Sequence, residues 1–273
     1  MRPRTHPARR SGGSIRDLAG EGILLAAGGR AILLQIADPS VARGVAEHSD
    51  FASRPLDRLE GTLGYVYAVV FGTPAELARA RRIVGRAHAS VRSSEPAADG
   101  SAPAYSAYDP DLQLWVAATL YDSAVTMFER CFGPLPDEAA DRIYREYAVL
   151  GTALQVPDGR WPADRDAFRA YWDERLRTLE PTADARRVAR TLLGGRVGTP
   201  ALRLAMPLVA LVTATLLPPR IRAGFGMRWD ARLERRSTRM LGVILAIYRR
   251  LPRMVREAPR VVITRRYRRR DAG

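Results

Sequence analysis

Three histidines and one cysteine are the residues of this chain best suited to hold a metal. His6 sits among arginines near the N-terminus, with no framework to orient it. His48 follows Glu47 at the end of a short helical stretch and reads as exposed. His88 differs. In "TPAELARARRIVGRAHASV" the apolar residues Leu77, Ala80, Ile83, Val84, Ala87 and Val91 fall into one helical stripe, and His88 lies inside it, four residues after Val84 and three before Val91. An imidazole on an inward face needs a partner, because leaving a buried polar group unsatisfied costs about 1–3 kcal/mol. A backbone carbonyl can serve, and so can a metal, since neutral imidazole is the commonest metal ligand. The pattern leaves both open.

The preceding helical stretch adds two residues. Arg58 and Thr62 are four apart and so project from one face, the face that carries Leu59, Val66 and Val69. A guanidinium and a hydroxyl above an apolar surface suit a flat, greasy ligand with anionic edges, the shape of haem with its propionates. The plain alternative pairs Arg58 with Asp57 or Glu60 at the surface. A third arrangement, His48 and His88 with a carboxylate around a non-haem iron, requires two separate helices to converge. Other chemistry lacks its signature. There is no phosphate-binding G-x-x-x-x-G-K-[ST] loop, no G-x-S-x-G elbow and no H-E-x-x-H. "GGRVG" at 194–198 follows no strand, and Asp109, Asp111, Glu138 and Asp141 stand at helix starts, where acids are favoured by the dipole.

These residues depend on helices for their placement. Asp38-Pro39-Ser40 supplies a cap and a first-turn proline between two short helices. Apolar spacing predicts a helix over Leu56–Val70, closed at Phe71-Gly72, and Thr73, Pro74 and Glu76 open the next with a capping box. "RSSEPAADGSAPAYSAYDP" is a loop, a long helix then ends at Gly133, and others begin at Pro136-Asp137 and near Arg165. "AMPLVALVTATLLPP", Ala205 to Pro219, is shorter than a spanning helix, is punctuated by Pro207 and Pro218, and reads as a core helix or one resting on a membrane. An amphipathic helix follows in "DARLERRSTRMLGVILAIYRRLP". No convincing period-2 run exists. The expectation is an all-α single domain of about ten helices over 17–258, with basic tails at 1–16 and 259–273.

All 44 basic residues are arginine, against 29 acids, for a net charge of +15. Five arginines lie in residues 1–16 and ten between Arg249 and Arg270, so the body between is nearly balanced. The tails read as solvated segments, or as contacts for an anionic membrane surface, with nucleic acid the less favoured partner. Cys131 alone rules out an internal disulfide, a zinc cluster and covalent C-x-x-C-H haem attachment, and fits a reducing, cytoplasmic setting. The N-terminus lacks the pattern of a secretory signal.

The order "RLEGT", "VYAVVFGT" and "HASV", with "LLQIADPSVARGVAEHSDF", "YDPDLQLWVAATLYDS", "YREYAVLGTAL" and "LLPPRIRAGFGMRWD", resembles the mpaB/rubber-oxygenase family, which includes the latex-clearing proteins. The resemblance runs from about Gly28 to Pro259. It implies an all-α fold with haem b bound noncovalently between helices, His88 as the axial iron ligand, and Arg58 and Thr62 at the cofactor. It further implies O₂-dependent oxidation of a hydrophobic, isoprenoid- or lipid-like substrate. Two positions depart from the pattern. Gly61 stands where latex-clearing proteins have a lysine, and Ala117 where many relatives have a histidine. Glu47 is a candidate for the family's distal glutamate. The competing reading is a non-catalytic helical protein whose arginine tails bind anionic membrane or nucleic acid.

Overall fold

Twenty-three residues, Pro110–Phe132, form the helix around which the rest assembles. Asp109 caps it by accepting from the amides of Asp111 and Leu112, Pro110 occupies its first turn, and Gly133 at φ 92° ends it, a conformation that favours glycine. In the computed structural model, which describes residues 13–48, 55–194 and 200–269, this is the sixth of thirteen α-helices.

Before it come α1 (Ile15–Gly20), a 3-10 helix (Gly22–Ala27), α2 (Gly28–Ile36), α3 (Pro39–His48), α4 (Pro55–Phe71) and α5 (Pro74–Ala89). After α6 (Pro110–Phe132) come α7 (Asp137–Thr152), α8 (Arg165–Thr178), α9 (Ala183–Leu193), α10 (Pro200–Leu216), α11 (Pro219–Gly224), α12 (Ala231–Arg250) and α13 (Arg253–Arg269). The loop between α5 and α6 carries the one sheet among the described residues, an antiparallel pair of two-residue strands, β1 (Arg92–Ser93) and β2 (Tyr105–Ser106). The all-α expectation holds, and the capped starts at Pro39 and Pro74 fall where the turn chemistry puts them. Asp38 accepts from the amides of Ser40 and Val41, while Thr73 and Glu76 form the reciprocal capping box.

α2 and the 3-10 helix lie against α6. Trp115 is fully buried there and donates its indole N–H to the Leu34 carbonyl at 3.1 Å. On the other side of α6, Tyr121, Tyr144, Tyr147, Trp161 and Phe168 interlock mainly edge to face, with ring centroids 5.0–6.2 Å apart. A second, smaller apolar cluster joins α6, α10 and α12 through Met127, Cys131, Val212, Leu216, Leu241 and Leu245.

Three boundaries differ from the sequence reading. α1 begins at Ile15, inside the expected N-terminal tail, with Ser14 as its cap; residues 1–12 lie outside the described residues. The basic C-terminal segment is helical to Arg269, so α13 crosses the expected boundary at 258 and packs on α4, the 3-10 helix and α1. Its arginines meet carboxylates: Arg256 pairs with buried Glu21 at 2.7 Å, Arg266 with Glu60 at 3.0 Å and Arg268 with Glu76 at 2.7 Å. Charge density alone cannot distinguish a solvated tail from a helix whose arginines answer acids far away in sequence. The apolar segment from Ala205 to Pro219 is divided: Val212–Leu217 is buried, while Leu208 and Val209, like Leu204 just before it, are exposed.

Among the described residues no single helix is long and apolar enough to cross a membrane. The one pair that passes that test together, Gly22–Ile36 with Pro39–His48, is bent by 107°.

Candidate functional site

A cavity of about 380 Å³ opens between α1, the 3-10 helix, α2, α4, α6, α7, α9 and α10, a size common for small-molecule sites. Its walls are leucine, isoleucine, valine, alanine and glycine, and no charged side chain among the described residues lines it. Of its polar groups, three serve the fold. Gln35 donates to Thr119 at 3.1 Å, Ser123 accepts from Arg30 at 2.8 Å, and Tyr147 donates to the Ala117 carbonyl at 3.3 Å. The hydroxyls of Thr62 and Tyr67 make no hydrogen bond among the described residues and are available to a ligand. Burial raises the pKa of Tyr67 and Tyr147 alike, so both walls stay neutral at ordinary pH.

α4 places Thr62 in this wall together with Leu59, Leu63 and Val66, the face that the three-and-four spacing selects. Arg58 is in the first turn of the same helix, and its side chain lies outside the described residues. α5 returns beside α4 after a two-residue connection, Gly72-Thr73, and the helices are sixteen and seventeen residues long. Arg81 of α5 accordingly comes close enough to Tyr65 of α4 to act on its hydroxyl, which burial pushes up to about 12. His88 stands near the end of α5, the helix that packs on α4. His88 is half-buried with its Nδ1 enclosed, and its ring meets Tyr108 edge-on at 6.5 Å. Tyr108 in turn donates to the Gly85 carbonyl at 2.7 Å.

Arg58 and Thr62 lie one turn apart on α4 and His88 lies near the end of α5, and of the three only Thr62 is among the residues lining the cavity. The stripe read on α5 is shallower than its periodicity suggests: Ala80 is its one fully buried residue and Ala87 is exposed. Glu47 is committed elsewhere, accepting from Arg43 and from the Tyr105 hydroxyl, both at 2.8 Å. His48 is exposed beside Tyr105, with ring centroids 6.0 Å apart. Among the described residues no group of three or more His, Cys, Asp or Glu is placed to hold a metal, so the triad of His48, His88 and a carboxylate is not assembled.

The two departures take different meanings. A Cβ at Gly61 would meet nothing within 4 Å, so open space adjoins Thr62 where latex-clearing proteins have a lysine. Ala117 is buried behind the cavity wall, under Tyr147. Tyr67, Met206 and Val209 belong to the lining and were not singled out in the sequence. Tyr67 was legible as the next residue after Val66 on a face already chosen. Met206 and Val209 depend on α10 folding back across α2, which no local pattern announces.

An all-α domain with an apolar cavity between its helices is the class that this architecture defines. The family described as ER-bound oxygenase mpaB/B'/Rubber oxygenase, catalytic domain, matches residues 15–256, and the chain belongs to it. Two relatives are each 35% identical over 226 residues, covering 81% of this chain and 87% of their own: Uncharacterized protein Rv2237 of Mycobacterium tuberculosis and Uncharacterized protein Mb2261 of Mycobacterium bovis. No solved structure matches.

Proposed function

We propose that the protein is a haem-dependent oxygenase that uses O₂ on a hydrophobic, isoprenoid- or lipid-like substrate, with His88 as the axial ligand of a haem b. The observation that carries this reading is the uncharged apolar cavity beside the α4–α5 helix pair in a chain of an oxygenase family. A haem needs one imidazole, which His88 would supply, whereas a bare ion needs three or four ligands, and no such group is assembled among the described residues. When bound, the haem would supply the iron chemistry that activates O₂.

The chain's own residues would do the rest. His88 would hold the iron, and Arg58 and Thr62 would meet anionic or polar edges from the start of α4. The leucine- and valine-lined walls would exclude water and orient an apolar chain, while the neutral Tyr67 hydroxyl is placed to donate a proton in a hydrogen bond. Of the C-terminal arginines behind the tail-binding alternative, Arg256, Arg266 and Arg268 are held in ion pairs on the domain.

O₂ uptake by haemin-loaded protein, measured with an unsaturated isoprenoid lipid, tests the reading. Uptake that depends on the lipid and is lost in Ala124→Trp, which fills the cavity from α6, is the expected result. Lipid-independent uptake, or equal uptake in the variant, would overturn it.

A further inference from the structure

α12 carries two faces. One packs Ser237, Leu241 and Leu245 inward. The other presents Val243 and Ile247, one turn apart and 60% and 59% exposed, between Arg236 and Arg239 on one side and Arg249 and Arg250 on the other. Leu251 in the turn that follows, and Met254 (86% exposed) and Val255 at the start of α13, add further exposed apolar side chains. The neighbouring α10, which shares the small core cluster with α12, adds Leu204 (85% exposed) and Leu208. Isolated exposed leucines or valines are ordinary. A set of them on two helices that pack together, and around the turn beyond, marks an interaction surface.

Charge decides what that surface fits. α12 carries six arginines and a single acid, Glu234, which is occupied by Trp229 and Arg222. Among the described residues Arg232, Arg235, Arg236, Arg239 and Arg249 have no carboxylate partner. This sets α12 apart from α13, whose arginines are largely paired. An apolar strip flanked by unpaired arginines is the pattern of a helix lying in a membrane interface, with side chains inserted among acyl chains and guanidinium groups at anionic headgroups.

We infer that the exposed face of α12, with the α12–α13 turn and the first half of α10, docks on an anionic lipid bilayer. α10 also contributes Met206 and Val209 to the cavity wall, so docking would set that wall at the bilayer surface, where lipid-dissolved molecules are found. The docking does not depend on haem, and its failure would leave the spectroscopic test of the cofactor untouched.

Flotation of the full chain with vesicles tests this, comparing phosphatidylcholine alone with phosphatidylcholine mixed with phosphatidylglycerol. Strong flotation with the mixed vesicles and little with the neutral ones is expected. The pair Val243→Glu and Ile247→Glu, at sites too exposed to unfold the domain, should weaken binding by about tenfold or more at an unchanged melting temperature. Arg235→Gln, Arg236→Gln and Arg239→Gln together should abolish the preference for phosphatidylglycerol. Undiminished binding by the glutamate pair would overturn the proposal, as would absence of flotation with mixed vesicles. Equal displacement by a single-stranded oligonucleotide, with the glutamate pair still bound, would instead identify a nucleic-acid surface.

Discussion

Arg30 pairs with Asp122 at 2.7 Å behind the cavity, with both side chains largely withdrawn from water. The same guanidinium donates to Ser123 at 2.8 Å and to the Leu216 carbonyl at 2.9 Å, so one side chain ties α2, α6 and the end of α10 together. The arginine also completes a helix C-terminus, where a cation is favoured. Arg30→Met removes all three bonds and strands a shielded carboxylate. A loss on the order of 3 kcal/mol is expected, read as a lower urea midpoint.

At Gly29, α2 approaches α10 closely. A Cβ there would stand 2.0 Å from Thr213 Oγ1 and 3.1 Å from its Cβ. Gly29→Ala should therefore cost about 1–3 kcal/mol through overpacking. Adding Thr213→Ala, which removes the nearer atom, should restore part of that loss. A double-mutant cycle by thermal melting reads the coupling, and additive losses would contradict the contact.

Glu47 fastens the β1–β2 loop to α3. Its hydrogen bonds from Arg43 and then Tyr105 hold its carboxyl below the ordinary value of 4.5. A lowered acid contributes stability that is present above its unfolded pKa and is lost as pH falls through the folded one. Melting temperature should accordingly drop below pH 4.5 more steeply in the parent protein than in Glu47→Gln. Identical acid slopes would show that the pair is not coupled to folding.

Thr62 lines the cavity yet is exposed and makes no hydrogen bond among the described residues. Thr62→Val should leave stability within about 0.5 kcal/mol, as surface changes usually do. If Thr62 meets the polar edge of haem, the same change should weaken haemin binding by about tenfold, the worth of one hydrogen bond to a charged group. Haemin titration followed by absorbance separates the two effects.

The sequence made the helix starts legible where a local signal exists. Asp38 and Thr73 cap through bonds that span three residues, and Gly133 stops α6 by its own backbone. The side of α4 facing the cavity was also legible, because Leu59, Thr62, Leu63 and Val66 share one face. What escaped was decided by partners remote in the chain. The Arg266–Glu60 pair joins residues 206 positions apart and turns an expected tail into a packed helix. α10 splits into an exposed and a buried half because α12 covers only one of them, although its composition is apolar throughout. His88 lay in a correct helical stripe, but few elements besides α4 cover α5, so periodicity overstated its depth.

The central claim is that His88 holds a haem iron. An absorption spectrum of the protein purified from cells supplied with a haem precursor tests it most directly, with His88→Ala prepared in parallel. A Soret band in the parent protein that is lost or strongly altered in the variant is the expected result. A colourless protein that takes up no added haemin, or a Soret band unchanged by His88→Ala, would contradict it.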